Sequence, residues 1–322
     1  MGFKLNQNGW TLVELMVAAF IGMLLLLIVL RVFLTSKQIY QLHEALTSMQ
    51  EHGRLAQHLL TTNLRMAGYV GCANSNAIEI YNHVDATQIT PIVGYHIDTD
   101  TRMLPEEIRG KVVAGTDVLI IQRADEDGAS LLSMTTASLT VTSPPSFAAG
   151  HILLVSDCNQ GDIIQINKAS YDSKIKLQLL FSKQMLNKYY NKHALVSKYL
   201  FMAFYIGDTG RKNAAGNPIY ALYCKDFFAS KHIPTEMVEG VQNLSIEYGI
   251  FTKKTKTIKY YKPYAVPDWT QVVNVKLLLL LTSIEPTLIR PAQYQFAGKN
   301  YQSKDLRLYR QWYGYVTLRQ RT

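Results

Sequence analysis

One stretch of this chain constrains the fold more than any other. Leu15 to Leu30 reads LMVAAFIGMLLLLIVL, without a single charge. A helix that crosses a bilayer needs about 20 predominantly apolar residues. Extended back over Gly9–Val13 and forward over Val32–Leu34, the run reaches that length, interrupted only by Glu14 and Arg31. It is apolar on every face, whereas a core helix of a globular domain is apolar along one stripe. One such span leaves most of the 322 residues outside the membrane, and with 48% apolar and 18% charged residues they are able to bury a sizeable core. Wholesale disorder is excluded by the same balance.

The flanks of the span say how it is used. A secretory signal peptide carries a small-residue cleavage site after its apolar middle. None follows Leu30, where the chain runs on into RVFLTSKQIYQLHEAL. The scissile feature lies before the apolar run: MGFKLNQNG is short, basic at Lys4, and ends in Gly9. Trp10-Thr11-Leu12-Val13-Glu14 comes next. This combination resembles the class III leader of the type IV pilin superfamily. The resemblance implies that a membrane peptidase cuts after Gly9 at the cytoplasmic face and N-methylates Trp10. Trp10 stands where the family usually has phenylalanine, with bulk and aromatic character kept.

Glu14 has a physical argument of its own. A carboxylate near hydrocarbon costs about 2.5–3.5 kcal/mol on insertion scales and normally has a partner. A freshly cut α-amine is a cation at neutral pH, with a pKa of about 7.7–8. When helices of neighbouring subunits stack with a small axial offset, the amine of Trp10 on one meets Glu14 on the next and fixes their register. The competing reading has Glu14 reach out to the membrane surface alone.

Beyond the span, Ile39, Leu42, Leu46, Met49, Gly53, Ala56, Leu60, Leu64 and Ala67 recur at three- and four-residue steps among polar residues. That spacing predicts an amphipathic helix with a narrow apolar stripe. No proline interrupts residues 10–67. The helix is therefore expected to be continuous over those 58 positions, about 87 Å at 1.5 Å per residue, with Gly68 as its stop. His43, His52 and His58 lack i, i+4 spacing and read as solvated.

After residue 70 strand-like runs take over, at Val118–Arg123, Ile152–Ser156, Asp162–Asn167, Lys174–Phe181, Tyr199–Ile206, Ile219–Cys224, Val241–Phe251, Val272–Leu281 and Leu306–Leu318. Asp125-Glu126-Asp127-Gly128, Ser143-Pro144-Pro145 and Gly207-Asp208-Thr209-Gly210 read as turns between them. Residues 182–198 read as a polar loop or short helix. The fold class expected is α+β: one long N-terminal helix carrying a mostly antiparallel, β-rich head. The segments are a leader (1–9), a transmembrane half-helix (10–34), an amphipathic half-helix (35–68) and a periplasmic head (69–322).

Here the resemblance narrows. Gly53-Arg54-Leu55-Ala56 and Leu64-Arg65-Met66-Ala67-Gly68-Tyr69-Val70-Gly71-Cys72 resemble the helix end of PilW-type minor pilins. So, in order, do Gly115-Thr116-Asp117-Val118-Leu119, Ser156-Asp157-Cys158, Val238-Glu239-Gly240-Val241, Asp268-Trp269 and the closing Val316-Thr317-Leu318-Arg319. The resemblance implies a single-pass inner-membrane protein, N-terminus cytoplasmic, that joins a hetero-oligomer priming pilus assembly and then sits at or near the tip. Its partners would be other minor pilins, the major pilin, the prepilin peptidase, the inner-membrane assembly platform and, at the tip, an adhesin. Cys72 and Cys158 fall at two family positions, and pairing suits an oxidising compartment. Cys224 is then a buried free thiol, or else the true partner of one of them.

Catalytic motifs are missing: no G-x-S-x-G, H-E-x-x-H, G-x-x-x-x-G-K-[ST] or C-x-x-C occurs. Asp98-Thr99-Asp100 and Asp125–Gly128 lack a full calcium loop and read as solvated turns. No enzyme, cofactor or metal is expected. The net charge of +9 includes Lys253, Lys254, Lys256, Lys259 and Lys262 interleaved with Tyr260, Tyr261 and Tyr264. Such a run could hold a nucleic-acid backbone, but a solvated hairpin guarding a sheet edge is the stronger reading. A tip-class pseudopilin of type II secretion is the other alternative within the superfamily, and a DNA- or surface-binding tip subunit ranks below it.

Overall fold

The computed structural model describes residues 11–71, 79–84, 89–98, 102–135, 137–142, 147–173, 176–181, 189–229, 233–252 and 256–318. Helix α1 runs without a break over Leu12–Arg65. Its first half, Leu12 to Leu34, has every large apolar side chain exposed by about half or more. Its second half buries Met49, Gly53, Ala56, Leu60 and Leu64, the expected stripe. The stripe starts later than its spacing suggests, because Ile39 is exposed and Leu42 and Leu46 are only half-buried. Met66 caps the helix through its N–H to the Leu64 and Thr62 carbonyls. Gly68 then turns the chain at φ 76°, its own N–H donating to the Gln122 carbonyl at 2.9 Å. An L side chain resists that left-handed backbone, which is why the stop is a glycine.

Each of the nine expected strand runs overlaps a strand, although Leu306–Leu308 and Leu318 lie outside the last one and residues 174–175 lie outside the described residues. These strands are β3 (Thr116–Met134), β5 (Ile152–Ser156), β6 (Gln160–Ser173), β7 (Lys176–Phe181), β8 (Leu195–Lys212), β9 (Pro218–Asp226), β11 (Val241–Thr252), β13 (Val272–Thr282) and β16 (Tyr309–Thr317). The others are β1 (Glu79–Asn82), β2 (Ile92–Ile97), β4 (Ser138–Thr142), β10 (Thr235–Glu239), β12 (Thr257–Tyr261), β14 (Gln293–Phe296) and β15 (Lys299–Gln302). Pairing is antiparallel apart from β1, which lies parallel to β6.

Two expected turns are not turns. Asp125–Gly128 lies within β3 and Gly207–Gly210 within β8. At each, the ladder shifts register: Ala124 and Gly128 face Tyr199 and Ser197, and Asp208 and Lys212 face Tyr220 and Pro218. The surplus polar residues bulge out and the strand continues, so turn-forming composition here marks irregular strand. Ser143–Pro145 and residues 182–188 lie outside the described residues, and 195–198 belong to β8.

The strands form two bodies that share β3 and β8. In the first, β2, β3, β8, β9 and β10 face a second sheet of order β12-β11-β13-β16. Ile92, Leu119, Ile121, Phe204 and Leu222 meet Leu244, Ile246, Tyr248, Leu277 and Leu279 there, and the buried stripe of α1 completes the same core. The second body is a closed ring, β3-β4-β7-β6-β5-β8, sealed because Gly128–Ser130 of β3 pair with Leu195–Ser197 of β8. Leu131, Leu139, Val141, Leu153, Val155, Ile164 and Val196 fill it. Closing the ring leaves these six strands without free edges along their shared length.

Candidate assembly site: the helix start and the helix–head seam

Thr11 caps α1 from extended backbone, with φ −78° and ψ 151°. Its hydroxyl accepts the Glu14 N–H at 3.3 Å, and Glu14 Oε2 accepts the Thr11 N–H at 2.9 Å. This is a reciprocal capping box. Glu14 thus has a local role that its charge alone does not suggest. The signal was present in the sequence as Thr-x-x-Glu, and Thr11 is the residue that reasoning about charge passed over. Gly9 and Trp10 lie outside the described residues.

The seam where α1 meets the head depends on two missing side chains. A Cβ on Gly53 would lie 2.7 Å from Leu281 Cδ1 and 3.0 Å from the Trp312 ring. A Cβ on Gly314 would lie 2.7 Å from Gln57 Nε2. A larger residue at Gly53 would press on the rigid Trp312 ring, and one at Gly314 would push the Gln57 side chain aside. The close approach of helix and strand therefore favours glycine at both. Trp312 Nε1 donates to Gln57 Oε1 across the contact. Further along, Arg123 Nη2 donates to Asn63 Oδ1 at 3.2 Å, tying the helix end to β3.

Cys158 is disulfide-bonded and Cys224 is free. Burial pushes the Cys224 thiol up to about 12, with Asp226 adding to the effect. It is an inert packing thiol against the main core. Cys72 lies outside the described residues.

The basic and aromatic run does not form one face. Lys253 and Lys254 lie outside the described residues. Alternation along β12 puts Ile258 and Tyr260 on the outer side of the sheet and Lys259 and Tyr261 on the other, where Lys259 Nζ sits 5.2 Å over the Tyr261 ring. Lys262 and Lys276 both pair with Glu247, at 3.1 and 2.9 Å. Burial pushes the Glu247 carboxyl up, but its hydrogen bonds to these lysines outweigh that and hold it below the usual range. Asp98 meets His96 Nε2 at 3.2 Å, and Thr99 and Asp100 lie outside the described residues. No group of metal-ligating side chains occurs among the described residues.

A long helix, apolar and uncovered at its start, carrying an antiparallel β head, is a pilin-like architecture. Two family models match the chain. The prokaryotic N-terminal methylation motif matches residues 4–30, and type IV pilus-assembly protein W (PilW) matches residues 203–320. Together the two matches support a type IV pilin of the PilW type. No curated protein and no solved structure matches it. The PilW match runs from β8 through the four-stranded sheet to the last described strand, so it covers the wall that clasps α1. The closed ring lies almost wholly before it.

Proposed function

We propose that this pilin takes part in priming type IV pilus assembly, sits at or near the pilus tip, and has no chemistry of its own. One observation carries the reading. The same helix is clamped to the head over its second half and left uncovered, apolar on all sides, over its first. The first half fits a membrane and then, in a fibre, the helices of neighbouring subunits. Cleavage after Gly9, methylation of Trp10 and an interhelical ion pair from that amine to Glu14 complete this reading. So does a single-pass orientation with residues 1–9 cytoplasmic and residues 69–322 periplasmic. Cys72 is the proposed partner of Cys158, since Cys224 is the only other cysteine in the chain and is free. The partners are sister minor pilins, the major pilin, the prepilin peptidase, the assembly platform and a tip adhesin.

Intact-mass analysis of protein purified from membranes tests processing: the chain is expected to begin at Trp10 with one methyl added. Gly9→Val is expected to leave the full-length precursor, because a side chain at the scissile position blocks the peptidase. A mature terminus beyond Leu30 would overturn the pilin reading. Assembly is tested by identifying the proteins that co-purify, where sister pilins are expected.

A further inference from the structure

Strand β2 is an end strand of the large sheet, paired among the described residues on one side only, with β3. The bond from the Gln122 N–H to the Pro91 carbonyl sets the phase of that ladder. With Ile92 opposite Ile121, it follows that Val93, Tyr95 and Ile97 spend their backbone groups on β3. Ile92, Gly94 and His96 point theirs the other way, and those groups have no partner among the described residues. An unpaired edge of this kind is normally blunted by a charge, a proline or a covering element.

This edge is set in a cleft of about 780 Å³, with the Pro263–Ala265 turn packed beside β2. Met103, Leu104 and Pro105 form one wall; Pro263, Tyr264 and Trp269 form the other. Val93 to His96 run along the floor, and no Asp, Glu, Lys or Arg lines it. Met103 and Tyr264 are 73% and 78% exposed, Tyr264 with the His96 ring edge-on at 6.4 Å between centroids. Behind the floor, the fully buried Tyr248 hydroxyl has no hydrogen-bond partner among the described residues and lies against Gly94.

We infer that this cleft takes an extended segment of a neighbouring subunit of the assembly, added as a strand on β2. Backbone rungs at every second residue recognise an extended polypeptide, and the uncharged walls select apolar or neutral side chains. A second copy of this chain does not fit, because each β2 is recessed between its own walls and two recessed edges cannot meet. The partner must offer a protruding, uncharged strand of about six residues, the length three outward rungs span.

The inference rests on the assembly reading above, and two arms keep their failures apart. In the first, amide exchange of the full-length protein in detergent is followed with a capped hexapeptide alternating valine and threonine, and with a proline-interrupted version. Slowing of the Ile92, Gly94 and His96 amides by about tenfold or more with the first peptide only is expected. In the second, the same amides are followed in the complex extracted from membranes, where they are expected to be protected. Met103→Glu and Tyr264→Arg change exposed wall residues and leave the fold intact. Each is expected to lower co-purification of the neighbour by about tenfold. Recovery of sister pilins with these amides unprotected and both variants assembling normally would overturn the inference while the minor-pilin reading stands. Absence of any co-purifying pilin would overturn that reading, and the peptide arm then decides: no protection sinks the strand site as well. A homodimer joined through β2 would likewise contradict it.

Discussion

Between Leu12 and Leu34 helix α1 is left uncovered by the described residues, whereas from Met49 to Leu64 every third or fourth residue is covered by the head. The two stretches share backbone geometry and lack proline alike, yet their side chains answer to different surroundings. The second is built for one partner, with a narrow stripe and a glycine where Leu281 and Trp312 press closest. The first is apolar all round and so is indifferent to rotation, which suits lipid or a bundle of like helices. What distinguishes the halves is therefore how specific the contact is. The covered half fixes an orientation; the uncovered half supplies affinity for hydrocarbon, and in the proposed assembly its register would be set by Glu14.

That contrast is easiest to break with paired substitutions. Leu60→Ala removes a fully buried side chain from the main core and should destabilise the head by about 2–5 kcal/mol. Leu25→Ala, made in the uncovered half, should shift head unfolding by less than about 0.5 kcal/mol. Thermal unfolding of both variants, followed by tyrosine fluorescence, separates them; equal losses would mean that the halves are not independent. Cys158→Ser should cost about 2–5 kcal/mol if the disulfide closes the long loop back to Cys72, and Cys224→Ser clearly less. Peptide mapping without reductant is expected to recover Cys72 linked to Cys158; a Cys158–Cys224 peptide would contradict that assignment.

Smaller effects sharpen the seam. Trp312→Phe keeps the aromatic packing and loses the bond to Gln57, so a loss of about 0.5–1.5 kcal/mol is expected in chemical denaturation. The smallest effect is pH-dependent. Glu247 has its folded pKa held below the ordinary value, so its pairing with Lys262 and Lys276 stabilises the head above the unfolded pKa. That contribution is lost as pH falls through the folded value. The stability gap between wild type and Glu247→Gln should therefore be present at neutral pH and shrink as pH falls below the ordinary glutamate value.

Much of this architecture was legible in the sequence, and the parts that were not share a cause. Long runs such as Val241–Phe251 and Val272–Leu281 carry their own signal, since burial on one or both faces is written in consecutive residues. The short strands β2, β4 and β10 carry little, because five or six residues are stabilised by the neighbour they pair with. Closure of the six-stranded ring depends on Gly128–Ser130 meeting Leu195–Ser197, nearly seventy residues away, and no local pattern announces it. Asp125–Gly128 has the composition of a turn and forms a bulge, because strand pairing on both sides overrides local preference. At the assembly site the charge of Glu14 was readable, and its bond to the Thr11 N–H was equally readable from the capping spacing.

Glu14 is also where the account is most exposed, since it sits in a capping box and in a proposed ion pair at once. A glutamine keeps an oxygen for the Thr11 N–H and discards the charge; alanine discards both. Both variants should be expressed, membrane-inserted and cleaved after Gly9, because apolar length, Lys4 and the scissile glycine are untouched. Losing one member of a desolvated ion pair costs about 3–5 kcal/mol, whereas losing a helix cap costs about 1 kcal/mol. The decisive measurement is co-purification with sister pilins at matched expression for wild type, Glu14→Gln and Glu14→Ala. Both variants are expected to fall together, by a factor on the order of a hundred or more. Glutamine assembling like wild type while alanine fails would show that Glu14 serves the helix start alone and that its charge does not set the register.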